Sequence, residues 1–270
     1  MAERERLLPQ WNEGADISGL LDGDGGRLLQ NYSNIEREEM EEHVKRIGKK
    51  GWDIMRFPCF RMFLFLRLDL SCSPVYQKIL EEIRAGSFFL DMGCGLGQDI
   101  RRLILDGAPA EYLVGLDIEP AYIDLGYELF KDRSSLQSRF IVQDLFQDTP
   151  EMSTLIGKFR VIKCGYSMHL WNYARQLDAA KRIIQLASPR GGSIITGMHL
   201  GSHNAKLWTD LPPEFKAMFL HNKETLSELW MQASTDTGTR WKFECAIEED
   251  ENSKVLGSDG CRLRWYVVQE

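Results

Sequence analysis

The sequence predicts an α/β fold, a seven-stranded and mostly parallel sheet with helices on both faces and a helical region ahead of it. Three observations carry this expectation. From Phe88 onward, short apolar runs alternate with helical segments, the pattern of parallel strands joined by helical crossovers. Near the end, residues 240–247 and 262–268 alternate as two antiparallel strands joined by a polar loop over 248–260. The 270 residues, 43% apolar and 27% charged, are enough for one large core and exclude a disordered or fibrous chain.

Taken in order, the first punctuation is the glycine- and aspartate-rich stretch 19–26, which reads as a flexible lead-in loop. Ser33 and Glu36 have capping-box spacing, and the charged stretch to Lys50 places Ile35, His43, Val44 and Ile47 on one face of a covering helix. Trp52, Phe57, Phe60, Phe63 and Phe65 follow. They read as a helical layer packed on the sheet, with the wall of a greasy pocket as the alternative. Strands are expected at 88–91, 112–117, 140–143, 160–164 and 193–196, ahead of the two terminal strands. Residues 1–80 thus form an N-terminal helical cap with substrate-side elements, and 81–270 a sheet-bearing core with a lid insert near 201–235.

Composition narrows the partners. Lys and Arg total 33 against 40 Asp and Glu, a net charge of -7, so no basic field recruits a phosphate backbone and nucleic acid is not expected as a partner. The cysteines at 59, 72, 94, 164, 245 and 261 form no CxxC pair and read as reduced thiols rather than as a disulfide framework or zinc site. No apolar run suits a signal peptide, and the greasiest stretch, 57–70, is cut by Arg61 and Arg67, so a cytoplasmic protein without membrane contact is expected.

The chemistry concentrates at Asp91-Met92-Gly93-Cys94-Gly95-Leu96-Gly97-Gln98, which joins the first strand to a helix. Its glycines let a ligand approach the backbone, and the helix start offers free N–H groups. A dinucleotide fingerprint needs a third glycine where Gln98 stands, so a nicotinamide oxidoreductase is disfavoured. An acidic residue leading the loop suits a cationic amino group instead. Asp117, with Ile118 beside it, closes the second strand at a distance suited to ribose hydroxyls. Asp144, Leu145 and Phe146 close the third, offering an acceptor for an adenine amino group and apolar faces for its ring. Amino acid, ribose and adenine together describe S-adenosylmethionine.

These motifs resemble the class I S-adenosylmethionine-dependent methyltransferases over roughly residues 88–200. The resemblance implies a Rossmann-like seven-stranded sheet with the last strand antiparallel, and a cofactor held by Asp91, Gly93, Gly95, Gly97, Gln98, Asp117, Ile118, Asp144, Leu145, Phe146 and Cys164. Longer strings are similar to the fungal methyltransferases of meroterpenoid and polyketide biosynthesis: Phe57-Pro58-Cys59, Gly97-Gln98-Asp99-Ile100-Arg101, Asp106-Gly107-Ala108-Pro109, Asp124-Leu125-Gly126-Tyr127, Phe219-Leu220-His221-Asn222 and Thr237-Gly238-Thr239. That likeness implies O-methylation of a hydrophobic small molecule, often at a carboxylic acid, in a cytosolic enzyme that forms homodimers in some members. Met198 and His199 depart from the group's arginine and glutamine on the substrate side.

Acceptor groups should follow strands four and five, since ligands of open sheets bind outside the carboxyl ends of the strands. After strand four, Gly165 to Trp171 lacks the Asn/Asp-Pro-Pro-aromatic motif of many amino-methylating enzymes, which argues against exocyclic amines. His169 is the candidate to orient or deprotonate the acceptor, and Trp171 to shape its pocket, with a structural histidine as the alternative. His199, His203 and His221 read as structural or peripheral, with contact to the substrate as the alternative. No metal site is expected, because acids such as Asp210 and Asp236 have no ligand spacing. Trp208, Phe215, Phe219 and Trp230 read as lid or core aromatics. The second functional reading is a cofactor-retaining protein of this fold that catalyses a cyclisation or only binds its ligand.

Overall fold

The computed structural model describes residues 11–12, 14–209, 217–249, 253 and 257–270. Its sheet follows from strands that are apolar in both directions. Strands β1 (Phe89–Met92), β2 (Leu113–Asp117), β3 (Arg139–Val142), β4 (Val161–Gly165) and β5 (Ile194–Ser202) run parallel. Register places Phe89 beside Leu113 and Val161, and Leu90 beside Val114 and Ile162, so alternate residues supply two buried faces. On one face Phe89, Leu113, Val161 and Ile194 meet α5 (Tyr76–Arg84) and α6 (Gln98–Leu105). On the other, Leu90, Val114, Ile162 and Ile195 meet α8 (Pro150–Ser153), α9 (Tyr173–Leu186) and α10 (Lys223–Asp236).

Sheet order is β3-β2-β1-β4-β5-β9-β8, with β9 (Gly260–Gln269) antiparallel to both β5 and β8 (Trp241–Glu248). The expected seven-stranded α/β fold and its reversed strand are both present. β5 runs six residues beyond the expected 196, to Ser202, because β9 pairs with it along its whole length, from Ile194↔Val268 to Ser202↔Gly260. The insert holds a two-stranded ribbon of β6 (Lys206–Trp208) and β7 (Met218–Leu220) that the sequence reading did not anticipate.

The N-terminal cap departs from expectation at its start. Residues 19–26 are not a loop: α1 (Ser18–Leu21) and α2 (Asp24–Ser33) meet there. The glycines serve close packing, since a Cβ on Gly26 would lie 1.7 Å from the Leu21 carbonyl oxygen. Ser33 ends α2 instead of capping the next helix, Asn34 closes it in the left-handed conformation (φ 52°), and α3 (Arg37–Ile54) begins without a side-chain cap. Of the expected face, His43, Val44 and Ile47 are buried along α3 beside Met40, while Ile35 is buried just ahead of the helix.

The aromatic stretch forms α4 (Pro58–Arg61) and a 3-10 turn at Leu64–Leu66. Trp52, Phe60, Phe63 and Phe65 pack not on the sheet but against Tyr122, Leu125, Leu129 and Phe130 of α7 (Pro120–Phe130), and against Leu96 of the glycine loop. The cap therefore flanks the loop where a ligand was expected. No helix of the described residues is long and apolar enough to cross a membrane.

Candidate active site

The loop 93–97 leaves β1 and enters α6, and Gly93, Gly95 and Gly97 all take positive φ (70°, 52° and 67°). At Gly95 a Cβ would meet nothing within 4 Å, so the backbone faces open space there. The Gly95 N–H donates to Asp117 Oδ2 at 2.7 Å. Behind the loop sits Arg101, a residue the sequence reading quoted but gave no role. Its fully buried guanidinium donates to the Leu96 and Gly97 carbonyls (3.0 and 3.3 Å) and to both oxygens of Asp132 (2.8 and 3.0 Å). Tyr32 of α2 donates to the same Asp132 at 2.9 Å, which links the cap to the loop. An arginine on the buried side of an amphipathic helix was the available signal.

Lys163 of β4 is the second residue the sequence reading missed. It stands beside Asp91 in the sheet register, its Nζ 3.0 Å from Asp91 Oδ1 and 2.8 Å from Asp99 Oδ2. All three groups are buried. Burial opposes the ammonium, but the two carboxylates outweigh it and hold Lys163 charged. Burial pushes the Asp91 carboxyl up, against the pull of Lys163. Two carboxylates and one ammonium leave one negative charge in excess. Asp91 Oδ2 and Asp99 Oδ1 have no hydrogen-bond partner, so the site can still accept hydrogen bonds from a cation. A lysine inside a central strand was the signal for it.

At the next strand ends, Asp117 also accepts from the Glu119 N–H at 3.0 Å, and Ile118 beside it is 65% exposed. Asp144 Oδ1 accepts from the Phe146 N–H at 2.9 Å, closing the turn after β3. Gln98 opens α6 half-buried, with its Oε1 enclosed and unpartnered. Leu145 and Cys164 sit in the core cluster on the α9 side, so only their backbone is available to line a ligand. Phe146 packs edge-on against Trp171, ring centroids 5.1 Å apart, and joins the two halves of the site.

The acceptor side is built differently. After β4, Tyr166 takes a positive φ (52°) and a 3-10 turn at Met168–Leu170 carries His169. Buried Gln176 fixes the segment by donating to the carbonyls of Trp171 and Phe219, 2.8 Å each. The fold brings His169 together with His199 of β5 and His221 after β7: the His169–His199 and His199–His221 ring centroids are each 6.2 Å apart. All three rings are buried, and burial lowers His169 and His221 to about 4 and His199 well below its usual value. Each retains one enclosed nitrogen without a partner, His169 Nδ1, His199 Nε2 and His221 Nε2. Such atoms cost about 1–3 kcal/mol each when left unpaired.

His203 lies apart, exposed and facing Glu249 at 2.9 Å. Phe219 stacks edge-on with His221, Trp208 packs beside β7, and Trp230 is core against Trp265. Phe215 and Asp210 fall outside the described residues. Among the described residues no three His, Cys, Asp or Glu side chains are placed to hold a metal ion.

Comparison with known proteins fits this arrangement. Residues 11–66 match the meroterpenoid methyltransferase N-terminal domain, and residues 89–191 match a methyltransferase domain. The O-methyltransferase phiE of Fungal sp. (strain ATCC 74256) is 35% identical over 226 residues, 83% of this chain and 75% of that protein. The chain belongs to this fungal methyltransferase family. A second relative, the asnovolin E/chermesin D methyltransferase nvfJ of Aspergillus novofumigatus, is 34% identical over 90% of this chain and 87% of its own length. Among solved structures, the 1,6-didemethyltoxoflavin-N1-methyltransferase of Burkholderia thailandensis, solved with S-adenosylhomocysteine, shares the fold (TM-score 0.52, 12% identity, covering 87% of this chain and 91% of that one). The fungal methyltransferase is thus an S-adenosylmethionine-dependent enzyme of secondary metabolism, as the motifs implied.

Proposed function

We propose that the enzyme transfers a methyl group from S-adenosylmethionine to an oxygen of a hydrophobic small molecule, a carboxylic acid or an enol or phenol oxygen of a terpenoid or polyketide. The observation that carries the cofactor half is the excess negative charge of Asp91, Lys163 and Asp99, with Asp91 Oδ2 and Asp99 Oδ1 unpartnered. The cofactor supplies an electrophilic methyl on a sulfonium, and its amino-acid end brings the ammonium that this charge lacks. Asp117 keeps lone pairs for ribose hydroxyls after accepting two backbone N–H bonds, and exposed Ile118 offers an apolar face for adenine. The start of α6, behind Gly97, presents N–H groups to a carboxylate.

On the acceptor side, His169 is neutral at physiological pH because burial holds it at about 4. The neutral ring keeps a lone pair with which to position an oxygen or take up its proton as the methyl is transferred, the same burial weakening it as a base, while Trp171 and Phe146 wall the approach and exclude water. A carboxylic acid, with a pKa near 4, arrives ionised and needs only positioning; a phenol near 10 needs the base. The name of phiE, an O-methyltransferase, supports an oxygen acceptor. Incubating the enzyme with S-adenosylmethionine and a panel of prenylated aromatic acids and phenols tests the proposal by product mass. Gain of one methyl on an oxygen is expected; methylation confined to nitrogen or carbon overturns it.

A further inference from the structure

We infer that Trp265 and His199 form a specificity device on the acceptor side, in which the indole N–H locks His199 as its Nε2–H tautomer and that fixed donor receives a lone pair of the acceptor's oxygen-bearing end. What binds there rests on the methyltransferase reading above; the tautomer does not.

The lock follows from the donor inventory. Trp265 Nε1 stands 2.8 Å from His199 Nδ1, and an indole nitrogen only donates. His199 Nδ1 therefore holds the lone pair, and the proton of the neutral ring sits on Nε2. The sheet makes this contact available. Trp265 lies opposite Gly197 in the β5–β9 register, two residues before His199. A Cβ on Gly197 would approach the Trp265 ring to 2.5 Å, so the missing side chain is what lets the indole lean along β5 to the histidine.

The freed donor then has no protein partner although the residue is 1% exposed. Its neighbours repeat the situation. His221 turns Nδ1 toward Thr225 Oγ1 at 3.0 Å, a hydroxyl held in the capping box of α10, and leaves Nε2 unpartnered; His169 leaves Nδ1 unpartnered. The three rings come from three elements that converge just beyond the carboxyl end of β4, beside the outer part of β5, on the side where an open sheet binds its ligand. Tyr173 and Phe219 flank them. A few fixed polar atoms among aromatic side chains orient a hydrophobic ligand, and a neutral donor selects one that carries an oxygen at that point.

Two measurements on the S-adenosylhomocysteine-saturated enzyme and its variants test this. Long-range 15N–1H NMR of the imidazoles is expected to show His199 protonated at Nε2, with the lock released in Trp265→Phe. Titration with a prenylated dihydroxybenzoic acid, its methyl ester and the corresponding phenol is expected to move the His199 Nε2 resonance, whereas the prenylated benzene lacking oxygen leaves it in place. In turnover, His199→Leu is expected to raise the acceptor KM about tenfold with the S-adenosylmethionine KM unchanged, and His199→Gln, which keeps an N–H donor, to fall between. Stabilisation by S-adenosylhomocysteine verifies that each variant is folded. An Nδ1-protonated His199, or probes that move Trp171 but not His199, overturns the inference. Failure of S-adenosylhomocysteine to bind the unaltered enzyme would instead strike the methyltransferase reading and leave the tautomer result standing.

Discussion

The two ends of the site use opposite electrostatics. Around the glycine loop, charges are buried in contact with one another: Lys163 with Asp91 and Asp99, and Arg101 with Asp132. Around the acceptor, three imidazoles are buried neutral, with no charged partner among the causes that set their protonation apart from one another's own rings. The first arrangement suits a ligand of fixed charge, the second an oxygen presented by an apolar molecule. Burial is the largest influence on the histidines' protonation, whereas at the cofactor end the burial of Asp91 is opposed by the Lys163 ammonium.

Two variants should separate the ends most sharply. With a phenolic acceptor His169→Ala should lower turnover by about 100-fold or more, while with a carboxylic acid it should leave measurable turnover, because no proton must be removed. Equal losses with both acceptors, the fold being intact, would remove His169 from proton transfer. Arg101→Ala leaves Asp132 buried and unpaired and should destabilise the protein by about 3–5 kcal/mol in denaturant unfolding. A change below 1 kcal/mol, an order-of-magnitude bound, would show that Arg101 does not brace the loop.

Acid should find the acceptor end next. His169 and His221 have folded values lowered to about 4, below their ordinary 6.5, so the unfolded chain binds more protons between those limits. Their contribution to stability is complete above pH 6.5 and is lost as pH falls toward 4. Each group adds a slope approaching about 1.4 kcal/mol per pH unit. Unfolding of the His169→Gln, His221→Gln double variant across this window should show a shallower dependence; an unchanged slope would place the titration elsewhere. The smallest effect belongs to the cap link, where Tyr32→Phe removes one hydrogen bond to Asp132 and should cost about 1 kcal/mol. Loss of cofactor affinity beyond that stability change would make the cap part of the cofactor site.

The same contrast explains what was legible in the sequence. The glycine loop and the acids at 91, 117 and 144 could be read because local backbone geometry and charge dictate residue type, and the family strings extended that reading. Strand positions held because a doubly covered sheet demands unbroken apolar runs, while β5 ran past its apolar stretch through Gly197, His199 and Gly201 on the strength of β9 pairing. The helices of the cap start were misread because Gly25 and Gly26 signalled flexibility where they permit contact. Lys163 and Arg101 look like solvent-facing charges until topology buries them beside carboxylates. The histidines lie on three separate elements, and their tautomers depend on neighbours such as Trp265 that no spacing rule connects.

Calorimetric titration of S-adenosylhomocysteine into the unaltered enzyme and Asp91→Asn asks whether the buried acids of the glycine loop hold the cofactor's amino-acid end. Binding by the first, and a loss of about 100-fold in the second with the fold retained, is the predicted result. Equal affinity in the two proteins would contradict it.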